Sequence, residues 1–505
     1  MYSVTSSPFS HVGEWLLQVD TSLLNNKIAA LNFKQQKPIS ILFNPWNNED
    51  TVFLNDELLR QEYVMKDEGV LFIGTTEQID KLPWTFGQFN PGILECCWLA
   101  LTVGDIRSHE RNDPVKVVRL LSAAANSNDD EGVLLGRWDG EYKDGIAPTA
   151  WVGSAKIVQQ YVESAKPVKY GQCWVFSGLL TASVYRMGPC SVVAVKRGEV
   201  QRPYDTPFVL GEVNADYVTW LSRGEDQPIK ALEWDKKYVG QFISTLKPGS
   251  YDREDVTDAY KAKEDTIEER SIMDWAWSNL GDVFPRFSRN NDRAGVDFEL
   301  DAPKNVTIGE DIMIRLRVIN NSTQQQLSVL AALTLDAVSY TDSKLGTIKQ
   351  EKYQKKVGRN EHFDLVVPYH EYLNQIKEQG YLRASVLASA PEMDYDEFLK
   401  NTFRVTAPPI GFSVTGSHRV GEELLVNTQF VNPLDGSLSK AYMILTGSGI
   451  GEGQKKIFNK GALPKETLSH TFTVIPQRSG NIFLNAKFWA PEMHFSEGYH
   501  VVAIQ

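Results

Sequence analysis

Tyr170-Gly171-Gln172-Cys173-Trp174-Val175-Phe176 is the stretch whose reading decides the fold. One cysteine follows a glycine and a glutamine and opens an apolar run, Val175 to Met187, that reads as a buried helix. A helix start offers N–H groups without intrahelical partners and the positive end of the dipole. Both lower a thiol's pKa and favour the nucleophilic thiolate. A lone cysteine on an apolar helix is ordinarily packing. Here Gln172 and Trp174 put a polar and a bulky group where plain packing would choose neither, and Gly171 permits a tight approach before the helix. A working thiolate also needs a proton acceptor. No histidine occurs between Glu110 and Glu361.

Bulk properties narrow the classes. A chain of 505 residues suggests three or four domains, and 42% apolar content suits globular cores. The net charge is -12 without a long basic run, which argues against nucleic acid or an anionic membrane as the main partner. No apolar run is long enough to span a bilayer. The opening MYSVTSSPFSHVGEW lacks basic and apolar signal regions, so a leaderless, cytoplasmic protein is expected, with unconventional export left open. Four cysteines (Cys96, Cys97, Cys173, Cys190) suit a reducing compartment, and Cys96 and Cys97 read as small buried hydrophobes. No Cys/His spacing suggests zinc. The glycosylation patterns at Asn305 and Asn321 read as chance.

The first third mixes helices and strands. A turn at Pro45–Asn48 precedes an expected strand, Thr51–Leu54, and Asp56–Val64 has helical spacing. Ile93–Val103 reads as an apolar helix after a Pro-Gly break. Asp113-Pro114-Val115 opens another that ends near Ala125. After about Phe287 the period becomes two: Ile312, Ile314, Leu316 and Val318 share one face, as do Leu424, Val426, Thr428 and Phe430. Asn432–Gly436 is a turn signal, and Pro408-Pro409 divides two all-β modules.

The cysteine stretch resembles the active-site motif of the animal transglutaminases, the protein-glutamine γ-glutamyltransferases. Similar likeness lies in Leu42-Phe43-Asn44-Pro45-Trp46, Pro83–Phe89, Gly132–Trp138 and Phe208–Asp216. It covers most of residues 12 to 505 and is diffuse over the last 200. The resemblance implies an α+β multidomain protein. A remnant of an N-terminal β-sandwich would occupy residues 1–36 and a papain-like catalytic core 37–287, with two immunoglobulin-like β-barrels at 293–408 and 409–505. It implies Cys173 as nucleophile and Trp138, in Gly136-Arg137-Trp138-Asp139-Gly140, as the indole donor to the oxyanion. An indole N–H is a pure donor, suited to that task. Protein glutamines would be the acyl donors and lysine amines the acceptors, joined in isopeptide cross-links. The oligomeric state is not legible.

Calcium is the implied cofactor. Asn126-Ser127-Asn128-Asp129-Asp130 sets oxygen ligands at alternate positions, implicating Asn126, Asn128 and Asp130, although a solvated turn has the same composition. Asn214 and Asp216 match a second family site, completed by Glu264 and Glu269. The alternative for Glu264–Arg270 is a charged, exposed helix face.

The resemblance then breaks. Cys173 and Asn214 are 41 residues apart, where the family layout leads one to expect roughly 80 more residues carrying the histidine and aspartate of the thiol triad. The likeness runs to about Met187 and resumes at Gly188-Pro189, so the core is truncated after about 187. His109 and His362 are the nearest histidines in sequence, and neither lies in family context. Three outcomes are expected to compete: an enzyme of reduced or absent activity, a non-catalytic binding relative, and an incomplete isoform of an active enzyme.

Overall fold

A computed structural model describes residues 5–20, 32–104, 106–130, 132–183, 190–202, 206–222, 230–280, 295–376 and 380–505. Residues 184–189, where the likeness breaks, lie outside them. The chain parts into two compact units, one of Met1–Gly69, Trp84–Met187 and Lys247–Tyr251, the other of Val70–Pro83, Gly188–Leu246 and Asp252–Gln505.

Among the described residues, the longer helices of the first unit are four, beside a parallel strand pair. Helix Pro114–Ala125 starts where expected because the Asp113 carboxylate accepts from Val115 N at 3.0 Å and Lys116 N at 3.4 Å. Helix Ile93–Val103 packs on it through Ala100, Leu101, Val117 and Leu121, with Val12 and Ile106 completing the cluster. Cys96 is buried, and desolvation pushes its thiol up to about 12. Cys97, expected to be buried, is only partly so. Helix Ala155–Ser164 and helix Cys173–Ser183 follow in the chain. Strands Leu134–Gly136 and Val168–Gly171 run parallel.

The expected strand at Thr51–Leu54 does not form; the segment is turn and loop. The Asp50 carboxylate accepts from Asn44 N at 2.9 Å and Val52 N at 3.1 Å, so these donors close a compact loop instead of a ladder. Asp56–Val64 is helical in two steps, Glu57–Arg60 and then the wider turn Gln61–Met65.

The second unit carries the β-rich tail. Strands Val296–Asp301, Ile312–Asn320 and Asn360–Val367 form a three-stranded antiparallel sheet. A five-stranded sheet has the order Asn305–Thr307, Tyr395–Thr406, Tyr381–Ala390, Leu327–Val338, Lys344–Val357, its first pair parallel. The last hundred residues repeat the scheme with three strands and four. The period-two reading holds: Ile312, Ile314 and Leu316 are 0% exposed while Met313 is 51% exposed. Leu424, Val426, Thr428 and Phe430 are likewise buried. Asn432 makes the expected turn, donating to Gly436 O and Leu463 O and accepting from Leu434 N. One apolar cluster runs from Val296 to Ile504.

Upstream of this, the second unit is sparser. Its helices Cys190–Lys196, Thr206–Asn214 and Ile267–Asn279 share a small core of Val195, Val200, Leu210, Val213 and Ala276. Among the described residues its strands there pair two by two, Tyr217–Leu221 with Lys230–Asp235 and Ser244–Leu246 with Arg253–Asp255. Isolated two-stranded ribbons are marginal by themselves.

Candidate active site and cation sites

The parallel pair brings the two predicted active-site segments together. Leu134 pairs with Val168 and Leu135 with Lys169; the register then slips so that Gly136 faces Gly171. Arg137 N donates to Gly171 O at 3.2 Å. Trp138 therefore leaves the sheet beside the turn that delivers Cys173 to the first position of its helix. A Cβ on Gly136 would come within 2.5 Å of the Trp138 ring, and one on Gly171 within 2.3 Å of Leu134. Both glycines are required by close approach.

Gln172 clamps the two segments. It is buried, and its Nε2 donates to Arg137 O at 3.0 Å and to the Tyr142 hydroxyl at 2.9 Å. Beneath it, Trp151 Nε1 donates to Tyr170 O at 2.8 Å. Outside it runs a charged network. Arg137 Nε bonds both Asp139 oxygens at 2.8 and 2.9 Å, and its Nη1 reaches the Tyr170 hydroxyl at 2.9 Å. That hydroxyl donates to Asp144 at 2.7 Å, and Lys169 Nζ donates to the same carboxylate at 2.9 Å. Lys169 and then Tyr170 hold Asp144 down at about 2. The cysteine helix is fixed from below by Ser154, whose hydroxyl accepts from Trp84 Nε1 and donates to Gly178 O, both at 2.9 Å.

Cys173 is exposed and reduced; Trp138 is 42% exposed. The first unit holds two histidines. His11 packs its ring against Trp15, and His109 sits in the short turn Ser108–Glu110. Among the described residues neither shares a hydrogen bond with Cys173. His362 belongs to the tail, on strand Asn360–Val367, 3.9 Å from Asp364. Cys173 and Trp138 are legible as site residues in the sequence; the parts of Arg137, Tyr142, Asp144 and Tyr170 are not. The signal available was the polar Gln172 inside an apolar run.

The first cation candidate is folded on its own bonds. Asn126 ends helix Pro114–Ala125, its Oδ1 accepts from Asn128 N at 3.1 Å, and its carbonyl accepts from Gly132 N at 3.2 Å. Asn128 is exposed; nothing is described of the Asp130 side chain.

The second candidate is more telling. Asn214 Nδ2 donates to Glu269 Oε1 at 3.0 Å. Arg270 bonds both Asp216 oxygens at 3.0 and 3.1 Å and also pairs with Glu269. Asn214, Asp216 and Glu269 thus gather around one guanidinium. Glu264 instead pairs with the buried Lys261, whose ammonium also donates to Val239 O. Glu269 is 0% exposed, so the exposed-face reading fails for it. No three His, Cys, Asp or Glu side chains stand close enough to share a metal among the described residues. Yet two buried acceptors on the predicted ligands, Asn214 Oδ1 and Glu264 Oε2, have no hydrogen-bond donor. All-oxygen donors of this kind fit a hard divalent cation.

No family model matches the chain. Individual proteins do. The chain is similar to Annulin of Schistocerca americana, 32% identical over 584 residues, covering 98% of this chain and 75% of the relative. It is similar to the hemocyte protein-glutamine gamma-glutamyltransferase of Tachypleus tridentatus, 29% identical over 93% of this chain and 73% of that one. The human coagulation factor XIII A chain is 29% identical over 92% and 74%. The solved structure of red sea bream transglutaminase superposes with a TM-score of 0.84 at 25% identity, covering 99% of this chain and 86% of that one. The Annulin alignment runs over 584 residues, whereas 98% of 505 is about 495, so close to ninety aligned positions have no residue here. A mixed α/β architecture superposing on a transglutaminase along nearly its whole length, and relatives up to 32% identical over the aligned residues, agree with the motif around Cys173: this chain belongs to the transglutaminase family.

Proposed function

We propose that this chain carries the cysteine acyl-transfer site of a protein-glutamine γ-glutamyltransferase without its proton acceptor, and that it transamidates slowly or not at all. The observation that carries the reading is a contrast. Gln172 and the parallel pair hold Arg137-Trp138 against the cysteine turn, while no histidine occurs from Glu110 to Glu361.

In this reading the Cys173 thiolate attacks the γ-carboxamide carbon of a protein glutamine. Trp138 donates its indole N–H to the oxyanion, ammonia leaves, and a lysine amine takes the acyl group. Taking the proton from the thiol and returning one to the leaving ammonia are the tasks of an imidazole, and no histidine occurs from Glu110 to Glu361. Triad members act as a unit, and losing one typically costs on the order of 10⁴ to 10⁶ in turnover. A donor and a bare thiol would leave about 10³ over water. The absent block would lie after about Met187, before the likeness resumes at Gly188-Pro189, and its expected length of roughly 80 residues is close to the number of unmatched positions. The division into a sandwich remnant, a truncated core and two β-barrels belongs to the same reading, as does a reducing, cytoplasmic setting for the thiols.

Calcium would be held by Asn214, Asp216, Glu264 and Glu269, and a second ion by Asn126, Asn128 and Asp130. When bound it supplies positive charge that draws carboxylate-bearing segments together. This chain's own residue at the first set is Arg270, which neutralises Asp216 and Glu269.

The test is incorporation of a fluorescent primary amine into casein by the purified chain with calcium. The reading predicts a signal indistinguishable from that of Cys173→Ala. Clear turnover above that control would refute the impairment. A second reading, a non-catalytic binding protein, is favoured by the uninterrupted apolar core from Val296 to Ile504. It predicts that the whole chain captures a partner equally well with Cys173→Ala.

A further inference from the structure

We infer that the loop Asn321-Ser322-Thr323-Gln324-Gln325-Gln326 is an acyl-donor site, at which an active transglutaminase would couple a glutamine of this chain to a primary amine. The inference rests on the family reaction given above, but not on any activity of this chain.

Three glutamines in succession link strand Ile312–Asn320 to strand Leu327–Val338. Thr323, Gln324, Gln325 and Gln326 are all exposed. The turn is shaped by other residues. Asn320, 3% exposed, accepts from Ser322 N at 3.0 Å and from its hydroxyl at 2.6 Å, and donates to Gln324 O at 3.0 Å. Gln324 N donates to Ser322 Oγ at 3.2 Å. The three carboxamides take no part in this, and among the described residues they make no hydrogen bond. The ladder begins only at Leu327, paired with Val357, so the backbone of Gln325 and Gln326 is outside the sheet.

An acyl donor must offer its carboxamide to a cysteine of another protein. That requires a side chain clear of its own surface and a backbone that can shift without breaking a ladder. Several glutamines held in the fold fail one condition or the other. Gln350 and Gln354 lie in strand Lys344–Val357, paired with Thr334 and Leu330, and the Gln350 carboxamide donates to Thr334 Oγ1 at 3.0 Å. Gln172 is buried and clamped. Gln88 and Gln375 donate to backbone carbonyls.

The step balances without a redox partner. The enzyme's thiolate bonds to the γ-carboxamide carbon, the C–N bond breaks, and the nitrogen leaves as ammonia with the proton it receives. The amine nitrogen then bonds to the same carbon, losing a proton as the thiolate is released.

The full chain is prepared as Cys173→Ala, so that its own thiol plays no part, and incubated with a separately supplied, calcium-activated transglutaminase and dansylcadaverine. Peptides are mapped by mass spectrometry. The expected result is dye on Gln324, Gln325 or Gln326, with most of the label lost when all three are replaced by Asn, a change confined to exposed side chains. Dye on Gln350, Gln354 or other structured glutamines instead, undiminished labelling of the triple variant, or no labelling would overturn the inference. None of these outcomes bears on whether the unmodified chain is itself active, which the casein assay decides.

Discussion

Arg270→Leu is the perturbation that most sharply probes how the acidic site is held together. The Arg270 guanidinium is the counter-charge for two carboxylates, that of Asp216 at 19% side-chain exposure and that of Glu269 at 0%. Removing it leaves Glu269 buried with only Asn214 Nδ2 as a donor. Breaking a buried pair on one side costs about 3–5 kcal/mol, and the lower end applies because Asp216 reaches solvent and Asn214 remains. An ion bound at about a hundred times its dissociation constant returns about 2.7 kcal/mol. The variant should therefore be about 3 kcal/mol less stable than wild type in EDTA, and calcium should restore most of that loss. In wild type calcium should stabilise less, because it must first displace the guanidinium. The assay is urea unfolding of the whole chain followed by tryptophan fluorescence, Trp275 and Trp277 lying on the same helix as Glu269. A loss below about 1 kcal/mol in EDTA would show that Arg270 does not hold the site. Equal stabilisation of both proteins by calcium would refute the exchange of guanidinium for ion.

Three further outcomes follow from particular contacts. Gly178→Ala would place a methyl 2.4 Å from the Trp84 ring and disturb the Trp84–Ser154–Gly178 chain, so it should cost about 1–3 kcal/mol in urea unfolding, whereas Gly436→Ala meets no atom within 4 Å and should change little. Asp144 is held at about 2 by Lys169 and Tyr170; a depressed carboxylate contributes stability that is complete above its unfolded value near 3.9 and is lost as pH falls through its folded value, so Asp144→Asn should flatten the stability curve between about pH 4 and 2. Iodoacetamide near pH 7.5 should modify exposed Cys173 and spare Cys96, whose thiol burial pushes up to about 12; peptide mapping of equal labelling would contradict this.

What was legible in the sequence is what local chemistry dictates. Alternation at Ile312–Val318 and Leu424–Phe430 gives the tail strands because burying one face of a pleated strand needs only a period of two. Asp113-Pro114 announces its helix because cap and first turn are neighbours in the chain. Thr51–Leu54 forms no strand because Asp50, outside the apolar window, takes the backbone donors of Asn44 and Val52. The candidate site divides the same way. Cys173 and Trp138 are visible through their neighbours, but the clamp of Gln172 on Arg137 O spans 35 residues and has no local pattern. Arg270 looked like one charge in a run; only the fold brings Asp216, 54 residues away, against it.

Whether Cys173 works without a histidine base is read from the rate of its alkylation as a function of pH. The expected profile has one ionisation, that of the thiol itself, unchanged by His11→Ala or His109→Ala. A second ionisation near the imidazole range of about 6.5, or a rate that stays high well below it, would reveal an imidazole paired with the sulfur and contradict the account.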